Sequence, residues 1–515
     1  MKKAIKTLVV LLSFSVLGIY SCTDDLNTTP KVELTLEELL AEDPDAIEGI
    51  VSRLYASFAL SGPNGPGSSD IDDDAGESPF LRGIINLQDF TADGMKNRWG
   101  DDGLDQLTTT SNWDGNNKFF RYLYNRIYYT IPQCNNLIQV LNSTSVEDSE
   151  LALNEARFLR SLAYFYLIDS FGKGVLVTED NLGTSEPLPE ASRLELFTYV
   201  ETELLEIEPL MPTTNSYGRA NRYVVDMLLA KLYMNAEVYI GQAKYNEAAI
   251  YVNKIIDEGG YQLANNFIQN FSGDNFNSPE IIFPLIADAV TSQSYGNTTY
   301  IVNGSLSSDT MPLEDFGSLQ GWQGHRASPA WYGLFGDLNT SNDTRASLFW
   351  TDGHNYDMTD YREWTDGYPS TKFRNTDFNV NSTPTDFSGT DFPLYRLADV
   401  YLMYAELAVR GAGNTNMDTA LSLVNDVRTR SMTNPINSFD LTLDFILDER
   451  ARELNLEGHR RTDLIRFNKF TGGNYIWPWK GNTAEGTSIP DHYKLFPIPE
   501  QARGANPNLT QNPGY

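Results

Sequence analysis

Cysteine is nearly absent. Cys22 and Cys134 are the only two in 515 residues. So sparse a supply rules out a disulfide framework and every structural zinc site built on cysteine sets. Histidine is almost as scarce, with four residues at 325, 354, 459 and 492. None has the HExxH spacing of a metalloprotease. The chain also lacks a Walker-type phosphate loop and a nucleophile elbow. Basic residues are few beside acidic ones, 38 Lys and Arg against 69 Asp and Glu, for a formal net charge of −31. A surface of that sign does not attract nucleic acid or an anionic membrane, and it repels polyanionic polymers. After residue 21 no apolar run reaches about 18 residues, so no transmembrane span is expected.

Aromatics, by contrast, are abundant: 12% of the chain, with 28 Tyr, 26 Phe and 8 Trp. Many belong to a core. Surface Tyr and Trp are also the side chains that stack on the apolar faces of sugar rings.

Residues 1–21 have the layout of a secretory signal. Lys2, Lys3 and Lys6 precede an apolar stretch from Leu8 to Tyr20, too short to span a bilayer as a mature helix. The small residues before Cys22 are those of a lipoprotein signal, in which Cys22 becomes the acylated first residue. Tyr20 departs from the usual pattern. With Cys22 acylated, Cys134 has no partner and reads as a small buried side chain in a helix.

The body of the chain reads as mostly α. Helical spacing of apolar residues predicts helices over 43–60, 117–141, 147–171 and 192–208. Residues 221–257 read as helix, turn, helix, with Ala236 and Ala248 as the small residues at the contact, in the manner of a tetratricopeptide repeat. Residues 392–430 read as a degenerate second copy, with Ala405 and Ala420 in the same roles. Two loop-rich insertions, about 61–116 and 260–391, interrupt this scaffold. The second is rich in Gly, Asn, Ser, Thr and Asp, with a strand-like run at Ile281–Ile286. It carries Tyr295, Trp322, Trp331, Trp350, Trp364 and a Gly-Trp-Gln-Gly turn at 321–324. Insertions on a repeat scaffold are common places for binding. Asp70, Asp72 and Asp74 alternate as in a calcium loop, but Ala75 stands where Gly is needed and Leu81 where Glu is needed.

A dense run of charge follows. Leu443, Leu447, Ala451 and Leu454 give one apolar helix face. Asp448 with Arg452, and Arg450 with Glu453, have the spacing of intrahelical ion pairs. Gly458 suits a helix stop. Such a cluster is either catalytic or a structural network that fixes one helix against its neighbours, and charged helix faces favour the second. A glycosidase needs two facing carboxylates at about 5 or 6.5–9.5 Å. Nothing in the sequence singles out such a pair, and no enzymatic activity is assigned.

The run ERARELNLEGHRRTDLIRF (449–467) and the terminus LFPIPEQARGANPNLTQNPGY (495–515) together resemble the C-terminal signature of the SusD/RagB family, glycan-binding lipoproteins of the Bacteroidetes outer membrane. The helix NEARFLRSLAYFYLIDSFG (154–172) also resembles that family. DAGESPFLR (74–82), YGNTTYIVNG (295–304), Gly321-Trp322 and WPWKGNTAEGTSI (477–489) are similar to a starch-binding member of it. The resemblance implies a single SusD-like domain over 22–515, built on a tetratricopeptide-like scaffold. It implies a surface lipoprotein that binds starch or maltooligosaccharide beside a SusC-like, TonB-dependent outer-membrane transporter. It places the glycan site on Trp99, Tyr295 and Trp322, with Arg82 and Asp74 as polar contacts. Asp102 stands where an Asn is expected. A calcium ion beside the 270–280 loop is also implied, but SGDNFNSPE holds few acids and no metal ligand is assigned. Trp477 and Trp479 adjoin the C-terminal signature and read as structural. Two alternatives stay open: another oligosaccharide or a peptide as ligand, and a scaffold whose helical repeats bind only proteins.

Overall fold

The computed structural model describes residues 34–71, 74–100, 103–144, 146, 149–379 and 382–515. The signal segment, Cys22, Asp72 and Asp102 lie outside them. The chain divides into a unit ending at Ala46 and a compact unit from Ile47 to Tyr515. In the first, α1 (Leu36–Glu42) opens on a capping box between Thr35 and Glu38.

The larger unit is mostly helical. Its main helices are α2 (Ala46–Ala59), α3 (Lys118–Ser143), α4 (Glu150–Ser170), α5 (Arg193–Ile207), α6 (Arg222–Met234), α7 (Tyr245–Glu258), α8 (Leu397–Val409), α9 (Met417–Arg430), α10 (Leu443–Leu454) and α11 (Arg460–Arg466). Local chemistry sets their starts. Asn117, Asn221, Asn416 and Thr442 each accept a backbone N–H from the first turn, and Ser192 forms a capping box with Glu195. Apolar periodicity sets the contacts: α3 packs on α4, α4 on α5, α6 on α7, α7 on α8, and α8 on both α9 and α10. Ala236, Ala248, Ala405 and Ala420 are fully buried, as close helix packing requires. The unit at 221–257 has one more piece than a helix-turn-helix. The chain breaks at Asn235, adds a short helix Ala236–Ile240, and turns at Gly241 with φ +69°.

Among the described residues the strands form three two-stranded sheets: β1 (Met95–Asn97) with β5 (His325–Ala327), β2 (Gly174–Val175) with β3 (Glu190–Ala191), and β4 (Ile281–Leu285) with β6 (Phe392–Arg396). Residues 392–396, expected as part of a helical repeat, are strand instead. They pair antiparallel with β4, and that pairing closes the 260–391 insertion at its base. The β1–β5 pair joins the two insertions, with Asn97 opposite His325.

The intrahelical pairs expected on α10 do not form. Arg452 lies 3.0 Å from Glu449 rather than on Asp448. Arg450 reaches Asp399 on α8 and Asp463 on α11, each at 2.7 Å. Glu453 meets Arg345 (2.8 Å), Arg396 (2.6 Å) and Arg430. Glu449, Arg450 and Glu453 are buried, so each charge takes the partner that packing brings to it. Charges removed from water need close partners, and these lie on other elements. The cluster is the structural network, tying α10 to the second insertion, β6, α8, α9 and α11.

Several aromatic residues are core. Trp331, Trp364 and Trp477 are buried, and half-buried Trp479 donates Nε1–H to Met358 O at 3.0 Å. Cys134 is fully buried in α3, and desolvation pushes its thiol up to about 12. No helix among the described residues is long and apolar enough to cross a membrane.

Candidate functional site

The site begins at a turn. Asp74 Oδ1 accepts the N–H groups of Gly76 (2.9 Å) and Glu77 (2.8 Å), and the short helix Phe80–Ile84 starts just beyond. From that helix the Arg82 N–H donates to Gly296 O at 3.0 Å, which fixes the 74–82 turn against the start of the 295–304 segment. Arg82 Nη1 also donates to Gly76 O at 3.1 Å. Its guanidinium lies 4.3 Å from the centre of the Tyr300 ring and 3.5 Å from Glu77. Gly76 sits among three of the expected residues. A Cβ built on it would lie 3.4 Å from Tyr295 Cβ, 3.5 Å from Asp74 Oδ1 and 4.0 Å from Arg82 Nη1.

Asn297 caps the helix Thr298–Ser305, so Tyr295 lies just ahead of that helix, 40% exposed. Trp322 comes back to the same place because its N–H donates to Asn303 O at 2.7 Å, near the helix end. The Tyr295 and Trp322 ring centres are 6.5 Å apart, with the planes at 45°. Trp322 Nε1 donates to Gln320 Oε1 at 2.8 Å, and Gln320 Nε2 to Asp386 Oδ1 at 2.9 Å. Phe387 backs the Tyr295 ring at 4.9 Å.

Trp99 follows β1. Its N–H donates to Asn97 Oδ1 at 2.7 Å, and the Arg98 N–H donates to Gly324 O at 2.9 Å. The indole lies over Gly324, where an added Cβ would stand 2.7 Å from the ring. Gly324 therefore has to lack a side chain for Trp99 to reach this position. Beneath Trp99 is His325, fully buried, with ring centres 5.7 Å apart. Burial and the neighbouring guanidinium of Arg82 hold its pKa well below the usual histidine value, so it is neutral.

Three half-buried or exposed rings thus share one surface: Trp99 on Gly324, Trp322 two residues away, and Tyr295 against Trp322. Trp99 and Trp322 lie on different insertions, and the β1–β5 pair joins them, setting Trp99 on Gly324, two residues beyond Trp322. Asp74 is exposed beside Tyr295, whereas Arg82 is buried, its guanidinium engaged by Gly76, Glu77 and Tyr300. Gln320, Asp386 and Phe387 were not expected here. Their distance in sequence from the rings leaves no local signal, beyond Gln320 lying two residues from Trp322. In the stretch whose aspartates alternate like a calcium loop, Asp70 faces Arg126 at 2.8 Å and Asp74 closes the turn. Asp274, in the 270–280 loop, accepts the Phe378 N–H at 2.8 Å.

A surface of non-parallel rings edged by amides and carboxylates is suited to holding a polyhydroxylated ring polymer. Comparison with known proteins agrees. The SusD family model matches residues 346–515. Over 97% of this chain and 96% of its relative, the sequence is 31% identical to the starch-binding protein SusD of Bacteroides thetaiotaomicron. This chain belongs to the SusD family. A SusD-like protein of Bacteroides ovatus is 23% identical over 67% of this chain and 64% of its own length. The SusD-family fold is also that of the solved structures. A SusD superfamily protein of Parabacteroides distasonis superposes with a TM-score of 0.71 at 21% identity, covering 92% of this chain and 99% of that one. Surface glycan-binding protein A of Bacteroides thetaiotaomicron, solved in complex with laminarihexaose, superposes with a TM-score of 0.69 at 22% identity, covering 91% and 99%.

Proposed function

We propose that this SusD-family protein binds starch and maltooligosaccharides at the cell surface, without chemistry, and delivers them to a SusC-like, TonB-dependent outer-membrane transporter. Cys22, acylated after removal of residues 1–21, anchors residues 22–515 to the outer membrane as one SusD-like domain. Trp99, Tyr295 and Trp322 stack on successive glucose rings, and Asp74 and Asp102 accept from hydroxyls. Arg82 supports the site from below, through Gly76 and Gly296.

The observation that carries this reading is the 45° inclination of the Tyr295 and Trp322 rings at 6.5 Å. An α-1,4-glucan is helical, so its successive pyranose faces turn. Inclined platforms follow that turn; a flat ribbon of sugar favours coplanar ones. The starch-binding relative at 31% identity supports the same ligand class. Carboxylates at Asp74 and Asp386 beside the rings disfavour an anionic polymer.

The test is calorimetric titration of residues 23–515 with maltoheptaose, α-cyclodextrin and laminarihexaose. Binding of the first two alone is expected. Binding of laminarihexaose alone would establish a second reading, a β-glucan ligand, which the laminarihexaose complex of a structural relative favours. Retained α-glucan binding after joint Trp99→Ala and Trp322→Ala substitution would overturn the site. Release of reducing ends from starch would overturn the absence of chemistry.

A further inference from the structure

A second cavity, of about 470 Å³, opens in the other part of the 260–391 insertion. Ligand pockets commonly measure about 300–1,000 Å³, so it has room for a sugar ring. Its walls are aromatic: Phe316 and Trp350 stand nearly perpendicular, at 84° with centres 6.3 Å apart, and Phe349 adds a third ring. Asn266 and Thr371 supply polar groups at the margin.

The cation in this wall sets the cavity apart. Arg345, Arg396, Arg450, Arg460 and Arg466 each rest on at least one carboxylate. Buried Arg326 and Arg461 lack one, but each donates to two or more backbone carbonyls instead. Arg374 does neither. Among the described residues it makes no ion pair, and its guanidinium gives one hydrogen bond, Nη2 to Thr371 O at 3.0 Å. Arg374 Nε is buried without an acceptor, and so is Trp350 Nε1 in the same wall. Two residues of one cavity wall, one of them a cation, therefore each carry a buried donor without an acceptor. Burial without a counter-ion pulls the Arg374 pKa down to about 10, still charged at neutral pH.

An unsatisfied buried donor is costly, and a guanidinium without an acceptor more so. The chemistry that complements a guanidinium without an acid is an anionic oxygen pair. Guanidinium recognises carboxylate through short, charge-assisted bonds. The aromatic walls require that this carboxylate ride on a body with apolar faces. We infer that this cavity is a second ligand site, for a sugar ring bearing a carboxylate, a hexuronate, with Arg374 taking the carboxylate and Phe316 and Trp350 holding the ring. It is independent of the three-ring surface. Its wall residue Phe316 lies six positions before Trp322, on the same segment.

The experiment titrates residues 23–515 with sodium glucuronate, glucose and benzoate at neutral pH, by calorimetry. Saturable glucuronate binding is expected, at least tenfold tighter than glucose or benzoate and weakened by 1 M salt. Arg374→Met should weaken it at least tenfold, with circular dichroism and the unfolding midpoint verifying the fold. Trp322→Ala should leave it unchanged. Should Arg374→Met fail to fold, Trp350→Phe removes the other orphan donor at near-constant shape and should weaken glucuronate at least threefold. Absence of glucuronate binding, equal affinity for glucose, or full affinity in a folded Arg374→Met or Trp350→Phe variant would overturn the assignment. Tighter binding of benzoate would overturn the sugar while leaving the carboxylate. Loss of the starch site would not affect any of these outcomes.

Discussion

Asp386 and Phe387 are adjacent residues that brace the Tyr295 and Trp322 rings from behind. Phe387 lies 4.9 Å from the Tyr295 ring, and Asp386 accepts from Gln320, which in turn holds the Trp322 indole N–H. One short loop therefore sets the angle between the platforms. The rings are held in this pose by contacts within the protein. A preorganised surface of this kind avoids the entropy of ordering side chains at binding.

Trp322→Ala and Tyr295→Ala should each weaken maltoheptaose binding at least tenfold, about 1.4 kcal/mol or more. Unfolding midpoints should move little for Tyr295→Ala, because that ring is 40% exposed. Calorimetry and thermal melts on the same samples separate the two effects. An unchanged isotherm would show that the ligand sits elsewhere.

Gln320→Ala should free the Trp322 ring without removing it. The expected outcome is a severalfold loss of maltoheptaose affinity with no change in global stability. Asp386→Ala should match it, and the double variant should cost no more than either alone, because both act through one relay. A double-mutant cycle reads this directly; additive losses would refute the relay.

Gly324→Ala is the test of the Trp99 platform. The new Cβ would stand 2.7 Å from the indole, so the ring must shift. Overpacking of this size costs about 1–3 kcal/mol. Urea unfolding should report that loss, and α-glucan affinity should fall with it. Wild-type stability together with wild-type affinity would mean that the ring is not held as described.

Glu453→Gln should be among the most destabilising single changes in the protein. It leaves Arg345, Arg396 and Arg430 facing a neutral side chain in the interior. Breaking a buried pair costs about 3–5 kcal/mol. Those guanidiniums hold the Glu453 pKa far below the usual carboxylate range. Its contribution is therefore full above the unfolded value of about 4.3 and is lost as pH falls toward the folded value. Urea midpoints should drop steeply below pH 4 in the wild type and less steeply in the variant.

His459 predicts a separate limb of the same profile. Burial and the ammonium of Lys231, 3.1 Å from Nδ1, depress its pKa to about 3. A depressed histidine is neutral when folded, while the unfolded chain takes up a proton below about pH 6.5. Stability should fall as pH drops from about 6.5 to 4.5, by about 1.4 kcal/mol per unit for this one group. His325, also depressed, adds a slope of the same sign. His459→Gln, which keeps an acceptor for Lys231, should flatten the slope but not abolish it. An identical slope in the variant would show that His459 is not the group that titrates.

Much of the scaffold was legible because its signals are local. Helices α3, α4 and α5 start and stop within three residues of the spans that apolar periodicity predicts, since turn spacing and capping side chains act within one or two turns. Cys134 falls inside α3, where its burial follows from the same period. The strand β6 was not legible, because Phe392–Arg396 becomes a strand only by pairing with β4, more than a hundred residues earlier. The partners on α10 were not legible for a related reason. Spacing offers Arg450 to Glu453 along the helix surface, yet burial of that face hands Arg450 to Asp399 and Asp463.

The same division holds at the candidate site. By itself the sequence determined the helical class and the two insertions, and its resemblance to the SusD/RagB family pointed to Trp99, Tyr295 and Trp322. Tertiary structure alone decided that Trp99 comes to rest on Gly324 and that Tyr295 meets Trp322 at 45°. It also set the roles of the polar neighbours, burying Arg82 as a brace while leaving Asp74 exposed. The reason is range. Propensity and periodicity act over a few residues of chain, whereas ring geometry and charge pairing depend on which distant segments the β1–β5 ladder and the buried ion network bring within a few ångströms of each other.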